Sequence, residues 1–231
     1  MSTPTGTLPR RRAKAEAGPF EAALGELAAR RATGALHGAA GTAWLADGAV
    51  VRVRSPYAAP DPCAEGELAW YGLLLDAAYF AFGQPGGALG FEPGPPPGDD
   101  RQRALSCERL GRAVRCRRAL LNQVCPHPEL DTAAVAREDA PSHPPAHPAR
   151  RLSELLAAAD GELVPHQLAR RLGRSTFGVL LDVRLLAAAG LLHLPPGAGD
   201  AAARRPLDRL DPSDPEVALL LRLRSALEAR L

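Results

Sequence analysis

The chain has 231 residues, 46% of them apolar and only 4% aromatic, enough for one large or two small cores built from Leu, Val and Ala. A net charge of +2 is too small to imply a nucleic-acid partner by itself, and four cysteines (Cys63, Cys107, Cys116, Cys125) do not make a disulfide framework. No stretch reaches the ~20 apolar residues of a membrane span, and the basic start (Arg10, Arg11, Arg12, Lys14) leads into no apolar signal core, so the expected compartment is the cytoplasm.

Gly and Pro make up about a fifth of the chain, which predicts linkers between packed modules. Lys14 is the single lysine. The Ala/Arg/Gly/Pro bias reads as a GC-rich coding signature, so the preference for Arg over Lys carries no functional weight. Residues 1–18 read as a disordered basic tail. Phe20, Leu24 and Leu27 then form an apolar stripe at helical spacing, ending near Gly34. Three short strands follow in "GALHG", "TAWLADG" and "AVVRVRS", with Asp47-Gly48 as the hairpin turn. "AEGELAWYGLLL" reads as a helix and "AYFAF", residues 78–82, as a closing strand.

The helix, then Thr33-Gly34-Ala35-Leu36, then "WLADGAVVRVRSP", the second helix and the closing strand resemble the PATAN domain, a bacterial signalling module. The resemblance covers residues 19–83 and departs at the Pro-rich interruption "SPYAAPDPCAEG". It implies protein–protein interaction rather than catalysis.

Residues 84–98, "GQPGGALGFEPGPPPGDD" at their widest, read as a Pro/Gly linker. Asp99 and Asp100 are expected to cap a basic amphipathic helix over 99–126, its apolar stripe formed by Leu110, Val114, Leu121 and Val124. Seven arginines face the single Glu108 there. Three readings apply to Arg109, Arg112 and Arg115: a solvated face, phosphate binding, or docking on an acidic partner. Cys107, Cys116 and Cys125 stand nine apart, which sets neighbours on opposite helix faces and rules out one shared zinc ion, so no metal and no cofactor is expected. His143 and His147 fall in a second, Pro/His-rich linker over 127–148 and read as loop residues.

Over 149–196 three helices are expected: one marked by Leu152, Leu155 and Leu156, one starting at Pro165 with His166 in its first turn, and one capped by Ser175 and stopped by Gly190 before a strand, "LLHL". Leu168-Ala169, Leu172-Gly173, Ser175, the Val179/Val183/Leu186 spacing and Ala189-Gly190-Leu191 resemble winged helix-turn-helix regulators of the MarR and ArsR type. The resemblance implies DNA contact; the candidate residues in this chain are Arg170, Arg171, Arg174, Ser175, Thr176 and Arg184, of which Arg170, Arg171 and Arg174 would reach phosphates without reading sequence. The residues themselves favour another use. The outer face of the third helix carries Phe177, Leu181 and Ala188 beside Arg184, with Leu180 adjacent, where base readout calls for hydrogen-bonding side chains. Residues 197–231 read as a loop and an amphipathic helix whose Leu220, Leu223 and Leu227 share one face, so Phe177, Leu180, Leu181 and these leucines form the expected interaction surface.

The fold class expected is α+β: a small helix/antiparallel-sheet module followed by a C-terminal winged helix-turn-helix. No nucleophile–base pair, paired-acid cleft, phosphate loop or dinucleotide fingerprint stands in the sequence, and no small-molecule substrate is evident, so the function expected is non-enzymatic. The leading reading is a bacterial winged-helix transcriptional regulator with a PATAN-like protein-interaction domain; the alternative is a signalling adaptor whose winged helix is a protein-packing surface and binds no specific DNA. A protein partner or a second copy of the chain is expected under either.

Overall fold

The computed structural model describes residues 18–58, 66–83, 87–97, 103–138 and 149–195. They form an α+β protein with six α-helices and a five-stranded antiparallel sheet, and the chain divides into two compact units, Met1–Leu120 and Leu121–Leu231. The expected basic tail, the caps Asp99 and Asp100, Cys63, His143, His147, and the loop and helix carrying Leu220, Leu223 and Leu227 lie outside the described residues.

In the first unit, helix α1 (Pro19–Ala29) buries Phe20 and Leu24, two positions of the expected stripe. Strands β1 (Gly34–Gly38), β2 (Gly41–Ala46) and β3 (Ala49–Arg54) form a meander. Asp47 (φ 51°) and Gly48 (φ 79°) both take left-handed backbone at the second turn, the type I′ requirement that Asp-Gly meets at little cost. A bidentate pair from Arg31 to Asp47, at 2.8 and 2.5 Å, ties the end of α1 to that turn.

Helix α2 (Glu67–Ala81) packs on β2 and β3 and buries Leu74 through Ala81 without a break. The expected closing strand at 78–82 is therefore the last turn of this helix, where Phe82 N–H donates to the Ala78 carbonyl at 3.0 Å. A short apolar run buried on all sides shows no periodicity, so it could not be told from a strand by pattern alone.

Both sheet edges come from segments expected to be something else. The order is β4-β1-β2-β3-β5. Strand β4 (Gly90–Pro93) lies within the expected linker and pairs antiparallel with β1, Leu36 opposite Phe91. An exposed edge strand needs no apolar alternation and tolerates a proline, so its composition resembles a linker. Strand β5 (Leu105–Ser106) pairs with β3 and replaces the expected first turns of the basic helix. That helix, α3 (Cys107–Val124), starts instead behind Ser106, whose hydroxyl accepts from the Arg109 N–H at 3.3 Å.

In the second unit a 3-10 turn (Pro128–Asp131) and strand β6 (Ala136–Arg137) precede helices α4 (Arg150–Ala158), α5 (Pro165–Leu172) and α6 (Thr176–Ala188) and strand β7 (Leu192–His193). The 3-10 turn and β6 both fall inside the segment expected as a Pro/His-rich linker over 127–148, where Leu130 and Val135 are drawn into the core; β6 pairs antiparallel with β7, and Asp160 adds a bridge to Ala136. Leu155, Leu168, Val179, Val183 and Leu186 meet in one apolar cluster with Leu130, Val135, Leu191 and Leu192. No described helix is long and apolar enough to cross a membrane.

Candidate interaction surface on the C-terminal helices

Local chemistry sets the α5–α6 geometry. Pro165 opens α5 where its missing N–H costs nothing, and the Gln167 side chain accepts from the Val164 N–H at 3.2 Å. Gly173 ends α5 at φ 63°, a conformation that disfavours any side chain with a Cβ. Ser175 caps α6 by accepting from the Gly178 N–H at 3.2 Å. These three features were legible in the residues, and the structure places Ser175 as a cap.

Helix α6 carries three polar side chains, and all are buried: Thr176 is 2% exposed, Asp182 1% and Arg184 1%. Arg184 donates to Asp131 from Nε and Nη2 at 3.0 and 2.9 Å and from Nη1 to the Cys125 carbonyl. Asp182 sits with Arg151 Nη2 at 2.7 Å and Arg174 Nη1 at 3.9 Å. Burial pushes the Asp182 carboxyl above the usual carboxylate range, and the two guanidiniums oppose that shift.

With ~100° between successive residues, the buried positions from Asp182 round to Arg184 sweep about 200° of the helix. The remaining arc holds Phe177, Gly178, Leu181, Leu185 and Ala188, of which Phe177, Gly178 and Leu181 are half-buried, Ala188 is exposed and Leu185 is 38% exposed. It carries no polar side chain.

The structure corrects several expectations. Arg184 and Thr176 are inside the unit and offer nothing to a base edge. Arg184 was read on the outer face because the 3-10 turn that brings Asp131 against it is distant in sequence; the helix wheel alone leaves that side open. Leu180 belongs to the interior rather than to an exposed surface. Arg174 donates to the Arg151 carbonyl at 2.9 Å and to Glu154, so it ties the α5–α6 turn to α4. Arg170 and Arg171 are exposed, and Arg171 lies 3.6 Å from Asp160. His166 is held neutral, its pKa pushed down to about 4 by burial and then by the nearby Arg170.

The arginines of α3 divide likewise. Arg109 and Arg112 are exposed, and Arg112 pairs with Glu108 at 2.6 Å one turn away. Arg115 pairs with Glu21, Arg117 with the buried Asp76 at 2.6 Å, and Arg118 donates to the Tyr79 carbonyl at 3.1 Å while lying over the Tyr79 ring. For Arg115 and Arg117 an acidic partner is part of the same chain, and Arg118 is held by a carbonyl and an aromatic ring instead. Cys107 is half-buried against the Leu24 and Gly48 carbonyls, burial raising its thiol to about 11, while Cys116 is exposed and Cys125 buried.

The partners Asp131, Glu154 and Asp182 were missed in the sequence. The available signal was Asp182, the one acid in a helix whose other polar side chains are Thr176 and Arg184, and only two residues from Arg184. Comparison of the chain with family models, with curated proteins and with solved structures gives no match.

Proposed function

We propose that this protein is a non-enzymatic regulator that acts through protein contacts, with a PATAN-like N-terminal module and a winged helix-turn-helix-like C-terminal unit whose third helix meets polypeptide rather than base edges. One observation carries the reading: the accessible arc of α6 holds Phe177, Leu181, Leu185 and Ala188, and every polar side chain of that helix is buried. Base discrimination in the major groove draws mainly on hydrogen-bonding side chains, whereas a narrow apolar strip suits packing against another polypeptide. The antiparallel pairing of β6 with β7 and the order α4, α5, α6, β7 support the winged-helix likeness.

The second reading, a DNA-binding transcriptional regulator, draws its support from the exposed Arg170 and Arg171 at the end of α5. Contacts from those groups alone would reach phosphates, which position a protein on DNA without reading sequence. A mobility-shift assay on genomic fragments at low and moderate salt separates the two. Absence of binding, or binding that disappears on all fragments alike as salt rises, is expected. Selective retention of one fragment at moderate salt would overturn the protein-contact reading.

A further inference from the structure

The outer arc of α6 and the C-terminal apolar face read from the sequence have mirror-image spacings. Phe177, Leu181, Leu185 and Ala188 stand four, four and three apart on α6, whereas Leu220, Leu223, Leu227 and Leu231 stand three, four and four apart. Laid antiparallel, the two series register throughout: Leu220 against Ala188, Leu223 against Leu185, Leu227 against Leu181 and Leu231 against Phe177. A parallel alignment offsets both middle pairs by one residue. The path of the chain selects the same direction. Leu191 N–H donates to the Leu186 carbonyl at 2.9 Å, β7 follows, and the described residues end at Pro195. The chain therefore departs from the Ala188 end of the helix, where the antiparallel register begins. A connection as long as 196–216 reaches roughly 25 Å as a flexible coil, against roughly 10 Å between the axes of packed helices.

We propose that the polypeptide α6 meets is its own C-terminal segment, residues 217–231 packing as an antiparallel helix over the outer arc, an assignment that rests on the protein-contact reading above. Two other occupants fit less well. The apolar stripe of α3 is already engaged, with Leu110, Val114 and Leu121 fully buried. A second copy meeting the arc alone finds four side chains, two of them half-buried, which falls short of the ~800 Å² per partner of a stable pair. A tethered segment needs no such area, because tethering raises its effective concentration far above that of a free partner. An outside protein then reaches α6 only by displacing the segment, which makes access to the interaction surface conditional.

Hydrogen exchange of the full chain provides the test. Amides within 217–231 are expected to exchange about tenfold or more slowly than in an isolated peptide of the same residues, at every protein concentration. Leu223→Glu sets a carboxylate against Leu185 and should abolish that protection while α5 stays protected. Leu185→Arg, at a position already 38% exposed, should do the same. The double variant should recover part of the protection, because the two charges then face each other. Arg222→Glu, on the opposite side of the segment, should change nothing. An unprotected segment in the unaltered chain, protection indifferent to Leu223→Glu, no recovery in the double variant, or protection that falls on dilution, which marks a second copy, would each overturn the assignment. The mobility-shift assay stays separate: selective DNA binding sinks the protein-contact reading itself, whereas an unprotected segment sinks only the identity of the partner.

Discussion

Arg184 separates a DNA-reading helix from an internally braced one. Replacing it with Met keeps most of the volume but removes three hydrogen bonds, two to Asp131 and one to the Cys125 carbonyl, from a side chain only 1% exposed. Breaking a buried ion pair by deleting one partner costs roughly 3–5 kcal/mol, because the remaining charge is left in a poor solvent. The orphaned carbonyl adds roughly 1–3 kcal/mol if water does not reach it. A surface arginine such as Arg109 should cost within about 0.5 kcal/mol on the same change. The double variant Arg184→Met with Asp131→Leu removes both charges and should recover most of the loss, since apolar replacement of a buried pair is often neutral. Urea unfolding followed by far-ultraviolet circular dichroism measures these differences, and hydrogen exchange of the α6 amides locates them in the second unit. If Arg184→Met costs no more than Arg109→Met, or if the double variant is no better than the single, the internal-brace account of α6 is wrong and Arg184 returns to the candidate DNA contacts.

Three further outcomes are expected. Ser175→Ala should cost about 0.5–2 kcal/mol through loss of the α6 cap, read as a lower urea midpoint with unchanged slope. Arg117→Met should destabilise by up to roughly 3 kcal/mol because Asp76 stays behind nearly buried, and equal stability of this variant and Arg112→Ala in thermal unfolding would refute that role for the pair. His166 has a folded pKa of about 4, below its ordinary 6.5, so the unfolded chain takes the proton first and stability falls as pH drops from 6.5 towards 4. The slope should stay below about 1.4 kcal/mol per pH unit, one proton's worth, and should flatten in that window for His166→Gln; an unchanged profile in the variant would count against the buried neutral histidine.

Much of the fold was legible where local chemistry decides conformation. Asp47-Gly48 demanded a type I′ turn, Pro165, Gly173 and Ser175 marked the α5–α6 geometry, and the Val179/Val183/Leu186 spacing named the core face of α6. These are interactions between residues a few positions apart, so the order of residues carries them directly. The apolar character of the outer α6 strip at Phe177 and Leu181 was legible for the same reason.

What only the tertiary structure decided is where the chain meets itself across long separations. "AYFAF" became helix because α2 continues under the sheet, and a Pro/Gly segment became an edge strand because β1 had an open side. Arg184, placed outside by helix geometry, is inside because Asp131 arrives from 53 positions away, and Arg117 is neutralised by Asp76 from 41. Charge in a sequence does not say whether water or a counter-charge will solvate it. That choice is made by packing, and in this chain it leaves α6 with an apolar outer face and sends its charges to the interior.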